Sequence, residues 1–547
     1  MSNPTPVSRA AQWIKTCYAE IFLLSWLLLP NIAQWLTTNA SLPHLLASLL
    51  VSLCFLLLPS IIVNSRRALF LANAPWAFFS GFLASYIIYY HAPISSGMMQ
   101  SVLQTDWREA HEQLNRYIYP ALISLAAFAV YILLAWRLNA APLKNRKILM
   151  ASGLWGITGL IYLPYAGFEA YERLEVTLDT HFYREAYPVN ILDSGYEAIR
   201  KNRTIKNRNF KLPAIHSLSG TEQKIFVLIA GESTRAQSFD EVGRDLDFFS
   251  QYPGLIYFND VLAQANFTNA SIPMLLTGAT TLQEVADRPN LIDWQNSAGC
   301  VTAVISNNTS YDFSDNAAIS DIAGDSGITH HSRYDHDMLP TVDGLLATTA
   351  TRNLCIILHM AGSHFDYSAR YRDEFEHYPV SGDEQEKLLA SYQNSVVMVQ
   401  DFLGRLIDRL SNVEGQAFMV YTSDHGENLM EIEGLKEHVT LRPTEYELKV
   451  PMLYWANKQY REEHQVAWQQ LANNSKLPVS NASVLATLLD AMGFPGSTLE
   501  PGKSLMGRFI PTERFFVHPS YSLRSEKSLL RDNSHNIELV ARTIKQH

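Results

Sequence analysis

Asp424 and His425 stand side by side in "YTSDHGENL", at the end of the apolar run "GQAFMVY". A carboxylate, an imidazole and a glycine after a buried strand can form a polar turn. They can also be two metal ligands delivered by one strand end. Other acids and imidazoles recur in similar positions: Glu232 after "KIFVLIA", His359 and His364 after "LCIIL", and His438 shortly before "VPMLYW". Asp, Glu and His without Cys make an oxygen and nitrogen donor set suited to zinc or manganese. Each residue alone has a plainer role. A Glu after a strand is favoured by the dipole of a following helix, His359 packs behind a site, and His377 and the pair His330–His331 belong to the surface. The combination is what points to a metal centre.

Such a centre calls for a nucleophile, and "ANFTNASIPMLLTG" offers one. Pro273 suits the first turn of a helix, with Thr268 just before it. Exposed amides and the positive helix end there can hold an anion such as phosphate. A metal-bound hydroxyl becomes nucleophilic through a lowered pKa. Thr268 or Ser271 serves equally well as a simple N-cap, and Thr234, two residues from Glu232, is a rival nucleophile.

The elements that must position these residues begin at Lys224. "KIFVLIA", "CVTAVIS", "LCIILHM", "QAFMVYTS" and "VPMLYW" read as buried strands, and "EQEKLLASYQNSVVMVQDFLGRLIDRL" between them has a helical period. Alternating strands and helices predict an α/β fold with a largely parallel sheet, whose chemistry gathers at the carboxyl ends of its strands.

The first part of the 547-residue chain is of another kind. Five apolar stretches, Ile21–Leu36, Leu45–Val63, Ala68–Tyr90, Tyr117–Trp136 and Ile148–Phe168, approach the ~20 residues that cross a bilayer. Arg9 and Lys15, then Arg66 and Arg67, then Arg137, Lys144, Arg146 and Lys147 fall on one side of these spans. The positive-inside rule therefore puts the N-terminus in the cytoplasm and everything after Phe168 outside it. The predicted organisation is a five-span membrane domain over 1–168, a connector with interfacial helices over 169–220, and an extracytoplasmic domain over 221–547. The net charge of −10 argues against nucleic acid as a partner. The four cysteines have neither zinc-type nor redox-type spacing.

These motifs, in this order, resemble the membrane phosphoethanolamine transferases of Gram-negative bacteria, which include the mobile colistin-resistance enzymes. The matches are "GES" after the first strand, Thr268 five residues before Pro273, "SDHGE", "GSH", and "EHV" followed by "VPMLYW". The resemblance implies an alkaline-phosphatase/sulfatase-like catalytic domain facing the periplasm from the inner membrane. It implies one tightly held zinc ion on Glu232, Thr268, Asp424 and His425, with Thr268 as nucleophile. His364 and His438 would bind the phosphoryl group or a second zinc, and would serve as acid or base. "SVLQTDWREA" resembles the family's substrate loop; Glu109 falls on its glutamate, a contact for the ethanolamine ammonium, and Ser101 on its asparagine. Two departures stand out: Met274 follows Pro273 where a cysteine is common, and only two of the four cysteines, Cys300 and Cys355, lie beyond the membrane domain.

The implied reaction moves phosphoethanolamine from phosphatidylethanolamine to a lipid A phosphate or lipopolysaccharide core sugar and releases diacylglycerol. The implied enzyme works as a monomer. Phosphoglycerol transfer, a membrane-tethered phosphodiesterase and an inactive envelope scaffold are the alternative readings.

Overall fold

The computed structural model describes the chain apart from residues 1–5, 38–41, 91–92, 105–106, 156–185, 207–209, 212, 215–217, 219–221, 308–326, 330–333, 350–351, 433–434, 441, 495–501, 520–521 and 530–547. The chain divides into two compact units. One comprises Met1–Met99 and Gln113–Glu197, the other Gln100–Glu112 and Ala198–His547.

In the first unit the helices are α1 (Pro6–Thr37), α2 (Leu42–Leu56), α3 (Arg66–Ala72) and α4 (Ala74–Tyr90), followed after an intervening helix by α5 (Trp107–Arg137). Among the described residues three helical segments are long and apolar enough to cross a membrane: Tyr18–Thr37, Leu42–Ile61 and Ile118–Arg137. The α3–α4 pair, bent by 52°, makes a fourth if it counts as one span. The expectation of five is thus reduced to three or four, because most of Ile148–Phe168 lies outside the described residues. The bend has a local cause. Asn73 caps α3, its side-chain amide donating to the carbonyls of Leu69 and Leu56, and Pro75 in the first turn of α4 has no N–H to continue the ladder. Gly81 lets α4 pack closely, since a Cβ there would lie 2.6 Å from Ser124 Oγ. The stretch between the third and fourth apolar runs is largely helical, Ser96–Gln104 and the start of α5. "REAHEQL" is made of good helix formers, and its charges end the apolar span without ending the helix.

The second unit is built on a seven-stranded sheet. Its strands are β1 (Lys224–Gly231), β2 (Leu255–Phe258), β3 (Val301–Ser306), β4 (Gly327–Thr329), β5 (Leu354–His359), β6 (Gln416–Ser423) and β7 (Met452–Ala456), in spatial order β2-β7-β6-β1-β5-β3-β4. Six strands run in one direction, while β7, antiparallel to both β6 and β2, runs against them. The sheet is therefore mixed. A parallel neighbour needs a crossover, but among the described residues the segment from β6 to β7 carries site loops and one short helix, Glu445–Leu448. Alternate residues of β1 enter two cores: Phe226, Leu228 and Ala230 on one face, Ile225, Val227 and Ile229 on the other. Such two-sided burial is why these strands read as unbroken apolar runs. Helix α6 (Thr268–Thr277) covers the first face through Ile272, Leu275 and Leu276. Helix α7 (Glu384–Ser411) covers the second through Val396, Phe402 and Leu406.

Candidate metal centre

β1 and β6 are parallel neighbours with Gly231 opposite Ser423, so the residues that follow them emerge together. Glu232 leaves β1, and Asp424 and His425 leave β6. One ligand atom from each lies within 4.8 Å of the other two, and all three side chains are fully buried. His425 Nε2 is 3.4 Å from Glu232 Oε1 and 3.4 Å from Asp424 Oδ2. Thr268 completes the group: its Oγ1 is 3.1 Å from His425 Nε2 and donates to Glu232 Oε2 at 3.2 Å.

The electrostatics of this group suit a cation. His425 Nδ1 lies 2.9 Å from the Gly426 carbonyl oxygen, which can only accept, so Nδ1 carries the proton and Nε2 presents its lone pair. That lone pair faces two carboxylates. Asp424 Oδ1 accepts from the backbone amides of Ser233 and His425 at 3.1 and 2.7 Å, whereas among the described residues no hydrogen-bond donor reaches the buried Oδ2. Burial and the nearby charge of Asp424 push the Glu232 carboxyl well above its usual range, and burial pushes the His425 imidazole down. Electron pairs from two carboxylates, one imidazole and one hydroxyl meet at one buried point. A zinc ion fits that donor set and offsets the repulsion within it.

Several residues hold this geometry in roles that the sequence did not assign to them. Ser233 sits at φ 57°, a left-handed conformation for a non-glycine residue. Its Oγ donates to Glu232 Oε1 at 2.8 Å, and its carbonyl accepts from Tyr392 Oη at 2.6 Å. Ser271 Oγ donates to the Asp424 carbonyl at 2.6 Å, tying α6 to the Asp–His loop. Gly362, at φ 51°, passes so close to Glu232 that a Cβ would lie 2.5 Å from its carbonyl oxygen. Asp335 accepts from the Ala361 and Gly362 amides at 2.8 and 2.9 Å. Glycine in "AGSH" was the one legible signal among these.

Thr268 differs in one respect from expectation. It is the first residue of α6 rather than the residue before it, and Pro273 lies beyond the first turn. The helix starts early because Asn269, Ala270 and Ser271 all accept helical geometry. Thr268 thereby keeps its place at the positive helix end. Thr234 is buried and donates to the Glu232 carbonyl at 3.3 Å, so its hydroxyl is engaged with backbone.

The later histidines lie at the edge of the cluster. The His438 ring centroid is 4.1 Å from that of His425 and 6.1 Å from that of His364. His438 Nδ1 is 2.9 Å from Glu427 Oε1, and His364 Nδ1 is 2.7 Å from the Phe365 carbonyl oxygen. Burial lowers both imidazoles below the ordinary histidine range, for His364 with help from the Arg370 charge. Both are therefore neutral near pH 7. His438 is flanked by Glu437 and Val439 at φ 57° and 64°, costly for a β-branched residue and typical of a constrained site.

His359 ends β5, buried behind the cluster with Nδ1 3.3 Å from Ser306 Oγ. His377 is exposed, and the pair His330–His331 lies outside the described residues. Ser101 and Glu109 fall on helices, Ser96–Gln104 and α5, with side chains outside the described set.

Comparison with known proteins agrees with this architecture. The sulfatase family model matches residues 224–494, and the phosphoethanolamine transferase EptA/EptB model matches residues 50–202. Phosphoethanolamine transferase EptC of Escherichia coli O18:K1:H7 is 26% identical over 489 residues, which cover 81% of this chain and 83% of the relative. The chain belongs to the phosphoethanolamine transferase family. The integral membrane lipooligosaccharide phosphoethanolamine transferase A of Neisseria meningitidis has the same fold, with a TM-score of 0.69 over 89% of this chain and 97% of that one at 18% identity. The periplasmic domain of Escherichia coli EptC, solved in complex with zinc, matches 58% of this chain and 98% of its own length, with a TM-score of 0.52 and 22% identity. Family membership identifies the chain as a transferase with a sulfatase-like domain and a membrane region.

Proposed function

We propose that this protein transfers phosphoethanolamine from phosphatidylethanolamine to an envelope acceptor, a lipid A phosphate or a lipopolysaccharide core sugar, and releases diacylglycerol. The observation that carries the reading is the Thr268 hydroxyl at the N-terminus of α6, 3.1 Å from His425 Nε2 and 3.2 Å from Glu232 Oε2. Glu232, Asp424, His425 and Thr268 would hold the zinc. A bound zinc ion supplies Lewis acidity and lowers the pKa of the hydroxyl it holds. A zinc complex of the EptC periplasmic domain supports this choice of metal.

The chain's own groups then divide the work. Thr268 Oγ1 attacks phosphorus, the bond to the diacylglycerol oxygen breaks, and that oxygen takes up a proton. An acceptor oxygen next attacks the phospho-threonine, and Thr268 regains its proton. The amides that open α6 face the developing phosphoryl charge. His364 and His438, neutral at the edge of the cluster, are the groups able to give and take these protons. His438 or His364 also fits a second zinc. Glu109 and Ser101 are assigned to the ethanolamine end of the donor on the match of "SVLQTDWREA" alone. The soluble unit works outside the cytoplasm from an inner-membrane anchor, so the donor phosphate can react at the interface.

Purified protein incubated with phosphatidylethanolamine labelled in its headgroup, with and without lipid A and core acceptors, tests the reading. Label should move to one acceptor class, with diacylglycerol formed in equal amount. Glycerol phosphate on the acceptor, or free phosphoethanolamine with no acceptor dependence, would replace it with the phosphoglycerol or phosphodiesterase reading.

A further inference from the structure

Glu447 is fully buried, far from the ligand set in sequence, and belongs to no catalytic motif. It is the last residue but one of a single helical turn, Glu445–Leu448, just before β7. Its carboxylate accepts four hydrogen bonds. Oε1 takes Asn266 Nδ2 at 2.8 Å and the Thr440 amide at 3.1 Å; Oε2 takes Thr440 Oγ1 at 2.7 Å and the Thr444 amide at 2.9 Å. Its backbone carbonyl accepts from the Gly426 amide at 2.7 Å.

The partners matter more than their number. Asn266 is two residues before Thr268, Thr440 two residues after His438, and Gly426 the residue after His425. Three loops thus close on one residue. Two of them, the Asp424–His425 loop and the His438 loop, are also joined by the short antiparallel pair Asn428–Leu429 with Lys436–Glu437. A direct bond from the Val439 amide to the Asn266 carbonyl, 3.1 Å, joins two of them again. The left-handed backbone at Glu437 and Val439 needs such outside support, since local preference opposes it. A helix cap needs only one of Glu447's bonds, that to the Thr444 amide. The other three bonds belong to the site.

We propose that Glu447 is a positioning residue for the transfer reaction, fixing the nucleophile loop and the His438 loop in register with the Asp424–His425 loop. This rests on the proposed transfer chemistry only for its kinetic consequence. Every donor facing the carboxylate is an N–H or O–H, and two are backbone amides. Glutamine would turn an NH2 group toward N–H donors and lose two acceptor sites. Charge-assisted bonds of this kind are the strong ones, so both loops should loosen together.

The test uses the full-length, zinc-loaded protein in detergent, as parent, Glu447→Gln, Glu447→Asp and Thr440→Val. Amide hydrogen exchange followed by mass spectrometry needs no turnover and is read first. In Glu447→Gln, peptides covering Phe267–Ser271 and His438–Thr440 should exchange at least tenfold faster, with α7 unchanged. Thr440→Val keeps the shape, removes one of the four bonds, and should show the same pattern at smaller size. Turnover per zinc-loaded molecule should fall at least tenfold in Glu447→Gln, with KM for the lipid donor within twofold, and Glu447→Asp should recover part of it. Unchanged exchange in both loops, acceleration spread equally through α7, or parental turnover per zinc-loaded molecule would each overturn the proposal. Failure of the parent itself to label Thr268 would overturn the transfer chemistry, while the exchange data would still decide the role of Glu447.

Discussion

At the residue scale the nucleophile is the sharpest claim. Thr268→Ala removes one hydroxyl from an otherwise unchanged helix start, so little packing is lost. Transfer should be abolished while membrane insertion and the melting temperature stay near parental. Mass spectrometry of parent protein held with donor alone should find phosphoethanolamine on the Thr268 peptide. Label on Thr234, or full activity in Thr268→Ala, would put the nucleophile elsewhere. His359 makes a separate prediction about pH. Burial pushes its imidazole from 6.5 down to about 4. The folded state therefore resists protonation that the unfolded chain accepts, and stability falls as pH drops from about 6.5 toward about 4. Across that window the loss should reach a few kcal/mol, since each pH step of one contributes roughly 1.4 kcal/mol. Denaturant unfolding at pH 7 and pH 5 checks it: His359→Gln should show a shallower dependence on pH than the parent.

At the element scale the loop that follows β5 is pressed against the backbone of Glu232, the Ser363 amide donating to its carbonyl at 2.9 Å. Gly362→Ala places a methyl group 2.5 Å from the Glu232 carbonyl oxygen at a left-handed φ of 51°. The cost should be about 1–3 kcal/mol, and it should appear at the metal centre before the core. Zinc affinity measured by competition with a chelating dye should drop in Gly362→Ala, while far-UV circular dichroism stays parental. The helix Val189–Lys206 has the reverse of the usual amphipathic order. Asn190 and Ser194 are buried, Ser194 Oγ donating to the Ile94 carbonyl at 3.5 Å, while Leu192 and Tyr196 are 49% and 66% exposed. Large apolar groups turned outward beside membrane-spanning helices suit the lipid interface. Tyr196→Trp in vesicles should therefore be quenched by brominated phospholipid; quenching no stronger than that of a tryptophan in the soluble unit would remove the helix from the membrane surface.

At the scale of the whole molecule, the distribution of Lys and Arg among the spans predicts that the catalytic unit faces away from the cytoplasm. A reporter active only after export, fused after Phe168, should be active, and a reporter active only in the cytoplasm should be silent there. The reverse result would invert the topology. Removal of metal should also act on the molecule as a unit. Two buried carboxylates left without a cation repel each other, so a chelator should lower the melting temperature as well as abolish transfer, and zinc should restore both.

The sequence by itself determined five of the seven strands, their two-sided burial and the residues at their carboxyl ends, but not the short strands Leu255–Phe258 and Gly327–Thr329. Apolar runs such as "KIFVLIA" and "QAFMVYTS" are local signals, and a parallel pair of them delivers Glu232 beside Asp424 and His425 without further information. It also determined three of the apolar spans, and a fourth as the bent pair α3–α4, because bilayer crossing is a matter of composition and length. What it left open depends on contacts between distant segments. The direction of β7 followed from the absence of a crossover helix between β6 and β7, not from the composition of "VPMLYW". The break at Asn73 follows from a side chain reaching the Leu56 carbonyl, and the left-handed residues Ser233 and Val439 carry no turn signature. Glu447 reads in sequence as one acid in "TEYELK"; only the folded chain brings Asn266, Thr440 and Thr444 onto its two oxygens. Periodicity reports what a segment buries, whereas hydrogen bonds between loops depend on where the rest of the chain has already put them.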